Sequence, residues 1–277
     1  MKKILISLVI VFVMASPSVA QLTRDQLPPE ISSQISNEQL ELTNWMMFYY
    51  KKPVPNEFPN WLKRASAAGM LKEPARQFPF LGFEATVFAM NEDKISLWIK
   101  TIDALPEKDQ NNVLMALWLS GTKSSQEVLL DKSRQRLIHG QNYFNFQTDA
   151  TPLILDDIIN TYGGFLDIQW GRFSASGDDK PIRNIVSVLE FAQFIGSRKK
   201  FPNPNTDEEK QVVLKEIYFH SAVWSLRSNC KTHPRVLEIC EKIYREENIG
   251  HLSQIVLQSI LSEFKPEKYK VTKTSNK

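Results

Sequence analysis

The stretch TDEEKQVVLKEIYFHSAVWSLRSN, residues 206–229, decides the fold class. Thr206 and Glu209 stand three residues apart in the T-x-x-E pattern of a capping box, in which each side chain bonds the other residue's backbone N–H at a helix start. Beyond them, apolar residues recur at intervals of three and four as far as Trp224, which is the period of an amphipathic helix. The stretch therefore predicts a long helix from Thr206 to about Asn229.

The same helical signals run through most of the chain. Capping-box sequences also begin at Ser36 and at Ser124, and glycines follow several of the periodic stretches, as they do at helix ends. Convincing alternation of apolar and polar residues, the pattern of a half-buried strand, is not found. The pattern predicts helices over 36–50, 55–68, 80–90, 93–102, 105–121, 124–138, 152–162, 165–176, 181–195, 206–229, 234–248 and 251–264, with a surface loop at 139–151.

About twelve helices joined by short polar loops predict an all-α protein in which successive helices run antiparallel. A helix with its loop takes about 19 residues, a length that suits helical-repeat proteins, although no fixed repeat period is present. We therefore expect an irregular α-solenoid or multi-helix array, with a compact multi-helix globule as the alternative. Residues 21–264 are expected to form a single helical domain with a possible sub-boundary at 196–206, followed by a basic flexible tail at 265–277.

The N-terminus has the pattern of a secretory signal peptide, which we expect over residues 1–20. Two lysines give it a positive start, an apolar stretch follows at 4–14, and Ala20 precedes the expected cleavage site. The apolar stretch is shorter than the roughly 20 residues that a membrane-spanning helix needs. We expect cleavage before Gln21, export to a periplasm or out of the cell, and no membrane span in the mature chain.

Composition and charge exclude several classes of protein. A chain with 42% hydrophobic and 23% charged residues is typical of a folded globular protein rather than a disordered one. The 10 glycines among 277 residues disfavour folds that depend on glycine-rich phosphate loops. Loss of the two N-terminal lysines would bring the net charge of +3 close to neutrality, and nucleic-acid binding needs many positive charges on one face. No nucleic-acid partner is therefore predicted.

Two cysteines, Cys230 and Cys240, flank the predicted break between two helices. An exported protein meets oxidising conditions, in which paired thiols form disulfides. The sequence therefore predicts a disulfide between Cys230 and Cys240. A metal site that adds His233 to the two thiols is an alternative that lacks a fourth ligand at suitable spacing.

Highly specific catalytic motifs are absent from the sequence. It contains no Walker A loop, no H-E-x-x-H metal motif and no G-x-S-x-G nucleophile motif, and we predict no cofactor, no metal and no catalytic residue. Glu84 and Glu190 stand alone in strongly apolar helical stretches, where burial would raise the pKa of a carboxyl. Paired with a second acid such as Asp167, a buried carboxylate would suit a hydrolase of an envelope polymer or glycan, which is the alternative function.

The most concentrated polar and aromatic region spans residues 156–179. From it we predict a binding surface made of Asp157, Asp167, Trp170, Arg172, Asp178 and Asp179. Asp167 and Trp170 share a helix face, and Gly171 beside them would let another backbone or a ligand come close. Helix capping by the aspartates is the structural alternative.

The favoured function is that of an exported, noncatalytic helical scaffold or binding protein. Helical arrays present long concave surfaces, which suit a protein partner or an extended envelope ligand. The near-neutral charge and the lack of catalytic motifs agree with this expectation.

Overall fold

The computed structural model describes residues 23, 32–72, 77–131, 164–246 and 248–269. Within them 80% of the residues are helical and none is in a strand, so the all-α prediction is confirmed. The solenoid arrangement of the helices stays a prediction. The signal peptide, the loop at 139–151 and the helix at 152–162 lie outside the described residues.

Twelve α-helices fall within the described part of the chain. In order they are α1 (Asn37–Met47), α2 (Phe58–Ala67), α3 (Gln77–Met90), α4 (Ile95–Asp103), α5 (Glu107–Leu119), α6 (Lys123–Leu129), α7 (Phe165–Ser176), α8 (Asp179–Ser187), α9 (Ser197–Lys200), α10 (Asp207–Thr232), α11 (Pro234–Arg245) and α12 (His251–Phe264). Short 3-10 helices adjoin them at Tyr49–Lys51, Pro55–Glu57, Met70–Lys72, Glu92–Lys94 and Val188–Phe194.

Two of the three predicted capping boxes are confirmed. At α1, Gln39 N donates to the Ser36 hydroxyl and Ser36 N donates to Gln39 Oε1, both at 3.0 Å. Thr206 and Glu209 make the same reciprocal pair at the start of α10. These local bonds satisfy backbone N–H groups that a helix start leaves without an intrahelical partner.

The capping box predicted at Ser124 is wrong. Helix α6 begins at Lys123, and its N-cap is Thr122, whose hydroxyl accepts a hydrogen bond from Ser125 N at 3.1 Å. Ser124 N donates instead to Glu92 Oε1, at 2.9 Å. Thr122 has the extended backbone that a cap requires, so it takes the role two residues earlier than predicted.

The described residues form two compact units. The N-terminal unit holds the described residues up to 131 together with 167–177, and the C-terminal unit holds 164–166 and the described residues from 178 onward. The sequence predicts one domain with a possible sub-boundary at 196–206, whereas this division falls between residues 166 and 167 and again between 177 and 178. The predicted connection at 196–205 contains the short helix α9.

An aromatic cluster fills part of the core of the N-terminal unit. Trp45 on α1 stacks on Trp61 of α2 with ring centres 5.6 Å apart, and both rings contact Phe83 on α3. Trp61 Nε1 also donates to Leu42 O at 3.1 Å, which fixes α1 to α2. Aromatic pairs of this kind add about 0.5–1.5 kcal/mol each beyond the burial of their area. The apolar α1 is therefore covered by its own unit.

Helices α3 and α7 cross at close range through two glycines. A Cβ on Gly171 would collide with Pro79 O and Phe83 N, and a Cβ on Gly82 would collide with Ile168 O. Only glycine leaves room for the two backbones to approach this closely. Gly171 thus admits another backbone, one of the two roles that its sequence position predicts.

Glu241 on α11 anchors the chain that follows α12. Its carboxylate accepts hydrogen bonds from Lys265 Nζ at 2.6 Å, Lys268 Nζ at 2.8 Å and Tyr269 OH at 2.9 Å. Although burial opposes ionisation, these bonds lower the pKa of Glu241 to about 2. The first five residues of the predicted tail, 265–269, are therefore held to α11, and the remainder lies outside the described residues.

Candidate functional site

The predicted binding residues do not gather into one site within either unit. Asp157 lies outside the described residues. The N-terminal unit holds Asp167, Trp170 and Arg172, and the C-terminal unit holds the remaining two aspartates. A binding role for these residues stays a prediction.

Helix α7 places Trp170 in the core. The side chain is 3% exposed, and its ring meets Phe173 edge to face at 6.2 Å. Asp167, one turn earlier, keeps partial solvent exposure, yet burial raises the pKa of its carboxyl to about 7. Arg172 Nη1 donates to Gln169 Oε1 at 3.1 Å. Trp170 is therefore a packing side chain and not the wall of a groove.

The two aspartates of the C-terminal unit lie at the start of α8. Asp178 is its N-cap residue but makes no side-chain capping bond. Asp179 accepts hydrogen bonds from Lys242 Nζ at 2.8 Å and Arg183 Nη2 at 3.4 Å, and Arg183 also donates to Glu246 at 2.5 Å. The bond from Lys242 holds the pKa of Asp179 below its usual range. Asp179 therefore joins α8 to α11 through ion pairs.

Glu84 on α3 is a buried acid without a partner. It has no exposed surface, and neither of its carboxyl oxygens has a hydrogen-bond partner among the described residues. Burial raises the pKa of Glu84 to about 8, so the carboxyl is protonated at neutral pH. A raised pKa suits a general acid, but a general acid must reach its substrate. Glu84 has no surface that a substrate can touch.

The crossing of α3 and α7 does not bring Glu84 and Asp167 together. Gly82 marks the face of α3 that touches α7, and Glu84 lies about 200° further around the helix. On that opposite face, Gln77 Nε2 donates to Asn112 Oδ1 of α5 at 3.3 Å. Glu84 therefore faces α5, whereas Asp167 lies on α7.

Glu190, the other lone acid, is bound to a helix end. Its Oε1 accepts a hydrogen bond from Ser253 N at 2.8 Å, in the first turn of α12. Gly250 is the N-cap of α12 and has no side chain to offer, and a Cβ there would collide with the Glu190 carboxylate. Glu190 supplies the cap that Gly250 lacks. The position of this acid in an apolar stretch is thus explained by its role in capping α12.

The predicted disulfide is wrong. Cys230 on α10 and Cys240 on α11 are buried and close, as the sequence predicts, but their sulfur atoms are 3.8 Å apart and both thiols are free. A disulfide requires about 2.05 Å between the sulfurs. The contact with Cys240 and burial both raise the pKa of the Cys230 thiol. The two cysteines therefore pack against each other as free thiols.

A groove of about 500 Å³ runs between α10 and α12 in the C-terminal unit. It is lined by Trp224, Arg227, Ser228, Lys231, Glu263 and Phe264. The four residues from α10 stand at positions i, i+3, i+4 and i+7, so they share one face of that helix. Trp224 is 41% exposed, in contrast to the buried Trp170. The groove therefore offers aromatic surface to solvent.

The charges in the groove are unevenly paired. Arg227 Nη2 lies 2.7 Å from Glu263 Oε1, and both side chains are half exposed. Lys231 is exposed and has no ion pair within the described ranges of the chain. The groove therefore combines a bound pair, which can donate and accept hydrogen bonds, with one available positive charge. The sequence predicts the helix that carries Trp224 but not the groove, because Glu263 and Phe264 come from another helix.

Neither a metal site nor a membrane-spanning helix is found in the described part of the chain. No group of three or more His, Cys, Asp or Glu side chains among the described residues is placed to hold a metal ion. None of the described helices is both long enough and apolar enough to cross a membrane. Comparison of the chain with protein-family models, with curated proteins and with solved structures finds no match.

Proposed function

We propose that the protein is an exported, noncatalytic helical binding protein that holds an extended ligand, a protein segment or an envelope polymer, in the groove between α10 and α12. The observation that carries the proposal is the half-exposed indole of Trp224 in a groove that also contains Lys231. The export part of the proposal rests on the sequence of residues 1–20.

The groove offers both apolar and polar contacts. Trp224 and Phe264 present aromatic surface, and covering it would stabilise a complex by about 25 cal/mol per Å² of apolar area. The bound pair of Arg227 and Glu263 supplies N–H donors and carboxylate acceptors, which would orient a polar ligand chain. An apolar ligand alone would leave the remaining hydrogen-bonding capacity of these two groups unused.

The length and charge of the groove favour an extended ligand with an acidic group. Trp224 and Lys231 lie two helical turns apart, about 10 Å along the axis. An extended peptide covers that distance with about three residues. Because Lys231 has no ion pair among the described residues, it favours an acidic group at its end of the groove.

The same groove argues against the hydrolase alternative. Glycoside hydrolysis uses two carboxyl groups about 5 to 9.5 Å apart at one cleft. The groove lining holds one acid, Glu263, and that acid is bound to Arg227. Glu84 has no exposed surface, and Glu190 caps α12.

A photo-crosslinking experiment tests the groove. A photoreactive phenylalanine derivative replaces Trp224 in one variant and Ile255 in a matched control, since Ile255 is 50% exposed on α12 and does not line the groove. Irradiation of the exporting cells should give a discrete adduct from position 224 and none from position 255. Mass spectrometry then identifies the ligand. Equal adducts at the two positions, or none at position 224, would contradict the proposal.

Export has its own test. The N-terminal residue of protein recovered outside the cytoplasm should be Gln21, because small residues precede it at the positions that signal peptidase recognises. Intact-mass measurement distinguishes this product from the full chain. Retention of residues 1–20 on exported protein would contradict the expected cleavage.

A further inference from the structure

Residues 194–201, which read FIGSRKKF, form an exposed basic and apolar segment of the C-terminal unit. Ile195 is 58% exposed at the turn before α9. Arg198, Lys199 and Lys200 follow on α9, and all three are exposed. We name residues 194–201 the basic tip. Its composition differs from that of the groove, in which Lys231 is the one cation without an ion pair among the described residues.

The basic tip is held in place by one carboxylate. Glu216 on α10 accepts hydrogen bonds from Gly196 N at 3.0 Å and from Arg198 N at 2.6 Å. Those bonds hold the pKa of Glu216 below its usual range, so the anchor stays ionised. Glu216 bonds mainly to the backbone and also attracts the Arg198 guanidinium, while the side chains of Arg198, Lys199 and Lys200 stay exposed to a partner.

A fourth cation borders the tip. Lys215 Nζ lies 4.9 Å from the ring centre of Phe194 and 5.7 Å from that of Phe191. Lys200 Nζ lies 4.9 Å from the ring centre of Phe201. Lysine ammonium groups therefore lie against phenylalanine rings at this surface, and basic residues beside apolar ones such as Phe are typical of segments that bind in a membrane interface.

We propose that the basic tip docks the protein on an anionic lipid bilayer, with Ile195 entering the interface and Arg198, Lys199 and Lys200 binding lipid phosphates. Side chains at three consecutive helical positions fan out over about 200° around the helix axis. A bilayer surface offers phosphates over its whole plane, so long side chains that diverge in this way can each reach one, whereas an acidic protein groove needs cations along one face. The exposed aliphatic side chain also gains free energy by leaving water.

Nearby acidic residues do not neutralise the positive charge of the basic tip. Asp207 and Glu208 lie at the start of α10, and Glu216 is about 13 Å further along that helix. Asp207 is itself paired with Lys210 Nζ, at 3.0 Å. Glu190, on the 3-10 segment before the tip, has its carboxylate bonded to Ser253 N. An approaching anionic surface therefore meets the cations first.

Vesicle sedimentation tests the proposal on the protein as purified after export. Vesicles of phosphatidylcholine with one third phosphatidylglycerol should bind the protein, and vesicles of phosphatidylcholine alone should not. Each cation near an anionic surface contributes about a fivefold factor to partitioning, so the R198Q/K199Q/K200Q variant should bind about a hundredfold more weakly. Ile195→Ser should weaken binding about tenfold and keep its salt dependence.

A matched control removes the same charge elsewhere. Lys63, Lys72 and Lys100 are exposed in the N-terminal unit, and their replacement by Gln should leave vesicle binding unchanged. The proposal is overturned if wild-type protein ignores anionic vesicles, if both triple variants lose binding equally, or if the tip variant loses an acidic protein partner while its vesicle binding is unchanged. Ile195→Ser keeps every charge, so it tests the tip even if the triple variant fails to fold.

Discussion

Glu190 Oε1 lies 2.8 Å from Ser253 N, so an acid that stands out in the sequence as a candidate for chemistry caps a helix from outside. Two more pairs share this arrangement: Glu92 with Ser124 N at 2.9 Å, and Glu216 with Arg198 N at 2.6 Å. In each pair the carboxylate comes from another element and meets the positive end of a helix dipole. Carboxylates that are distant in the sequence therefore cap the starts of helices where the neighbouring residues supply an incomplete cap.

Glu190→Ala should lower the free energy of unfolding of the C-terminal unit by about 1–2 kcal/mol, because it removes a charged cap. Gly250→Ala should have a similar effect, since the added Cβ would displace the Glu190 carboxylate. The double variant should lose no more free energy of unfolding than the single variant with the larger loss. Urea unfolding of all three variants measures this coupling, and additive losses would contradict the cap.

Gly171→Ala should destabilise the N-terminal unit by about 3 kcal/mol or more, because its Cβ would meet the backbone at Pro79 and neither helix can move freely. Gly121→Ala is the control. Nothing lies within 4 Å of a Cβ at Gly121, and its φ of 66° alone should cost about 1 kcal/mol. Chemical denaturation ranks the two variants, and equal losses would show that the α3–α7 crossing can relax.

Local sequence predicts the helices well where the cap, the period and the stop agree. Helices α7 and α12 have the predicted bounds at both ends, 165–176 and 251–264. Helix α6 differs because Thr122 and Ser124 offer competing caps within one turn, and the tertiary bond from Glu92 is not visible in a local pattern. Propensity and capping rules describe neighbours along the chain, so they cannot rank such alternatives.

The candidate site was harder to predict than the fold. Trp170 and Trp224 both stand in amphipathic helical stretches, and only the packing of α7 and α10 against other helices buries one and exposes the other. The thiols of Cys230 and Cys240 are near each other as the sequence predicts, but proximity does not determine whether they are bonded. The groove depends on which face of α12 meets α10, and that is a tertiary property.

Glu84 should make the stability of the N-terminal unit pH-dependent. Its pKa is about 8 in the folded chain against an ordinary value of 4.5, so between these pH values the unfolded chain has lost a proton that the folded chain keeps. The free energy of unfolding should therefore fall as pH rises from about 4.5 to 8, by on the order of 5 kcal/mol, and then level off. Urea unfolding across this range measures the slope.

Glu84→Gln should remove the part of the pH dependence that Glu84 contributes, because an amide does not ionise. Asp167→Asn is the comparison, since burial raises the pKa of Asp167 only to about 7 and its side chain keeps partial exposure. That variant should remove a comparable fall that lies between about pH 3.8 and 7, and it should leave the fall between pH 7 and 8 in place. An unchanged slope in Glu84→Gln would show that water reaches the carboxyl.

Substituting two tryptophans, one in each candidate binding surface, distinguishes between these surfaces. Trp170→Ala should destabilise the protein by about 3–5 kcal/mol, because it empties a core position against Phe173. Trp224→Ala should cost about 1 kcal/mol or less, since much of its indole already contacts water. Thermal unfolding compares the two losses.

Ligand retention must then follow the exposed tryptophan and not the buried one. If the groove binds the ligand, Trp224→Ala abolishes retention at a temperature where the variant is folded, because an exposed aromatic contributes to binding more than to stability. Trp170→Ala, measured below its own unfolding transition, should retain the ligand, since its side chain does not reach the surface. The reverse result, loss with Trp170→Ala alone in folded protein, would place the binding surface at residues 156–179 and exclude the groove.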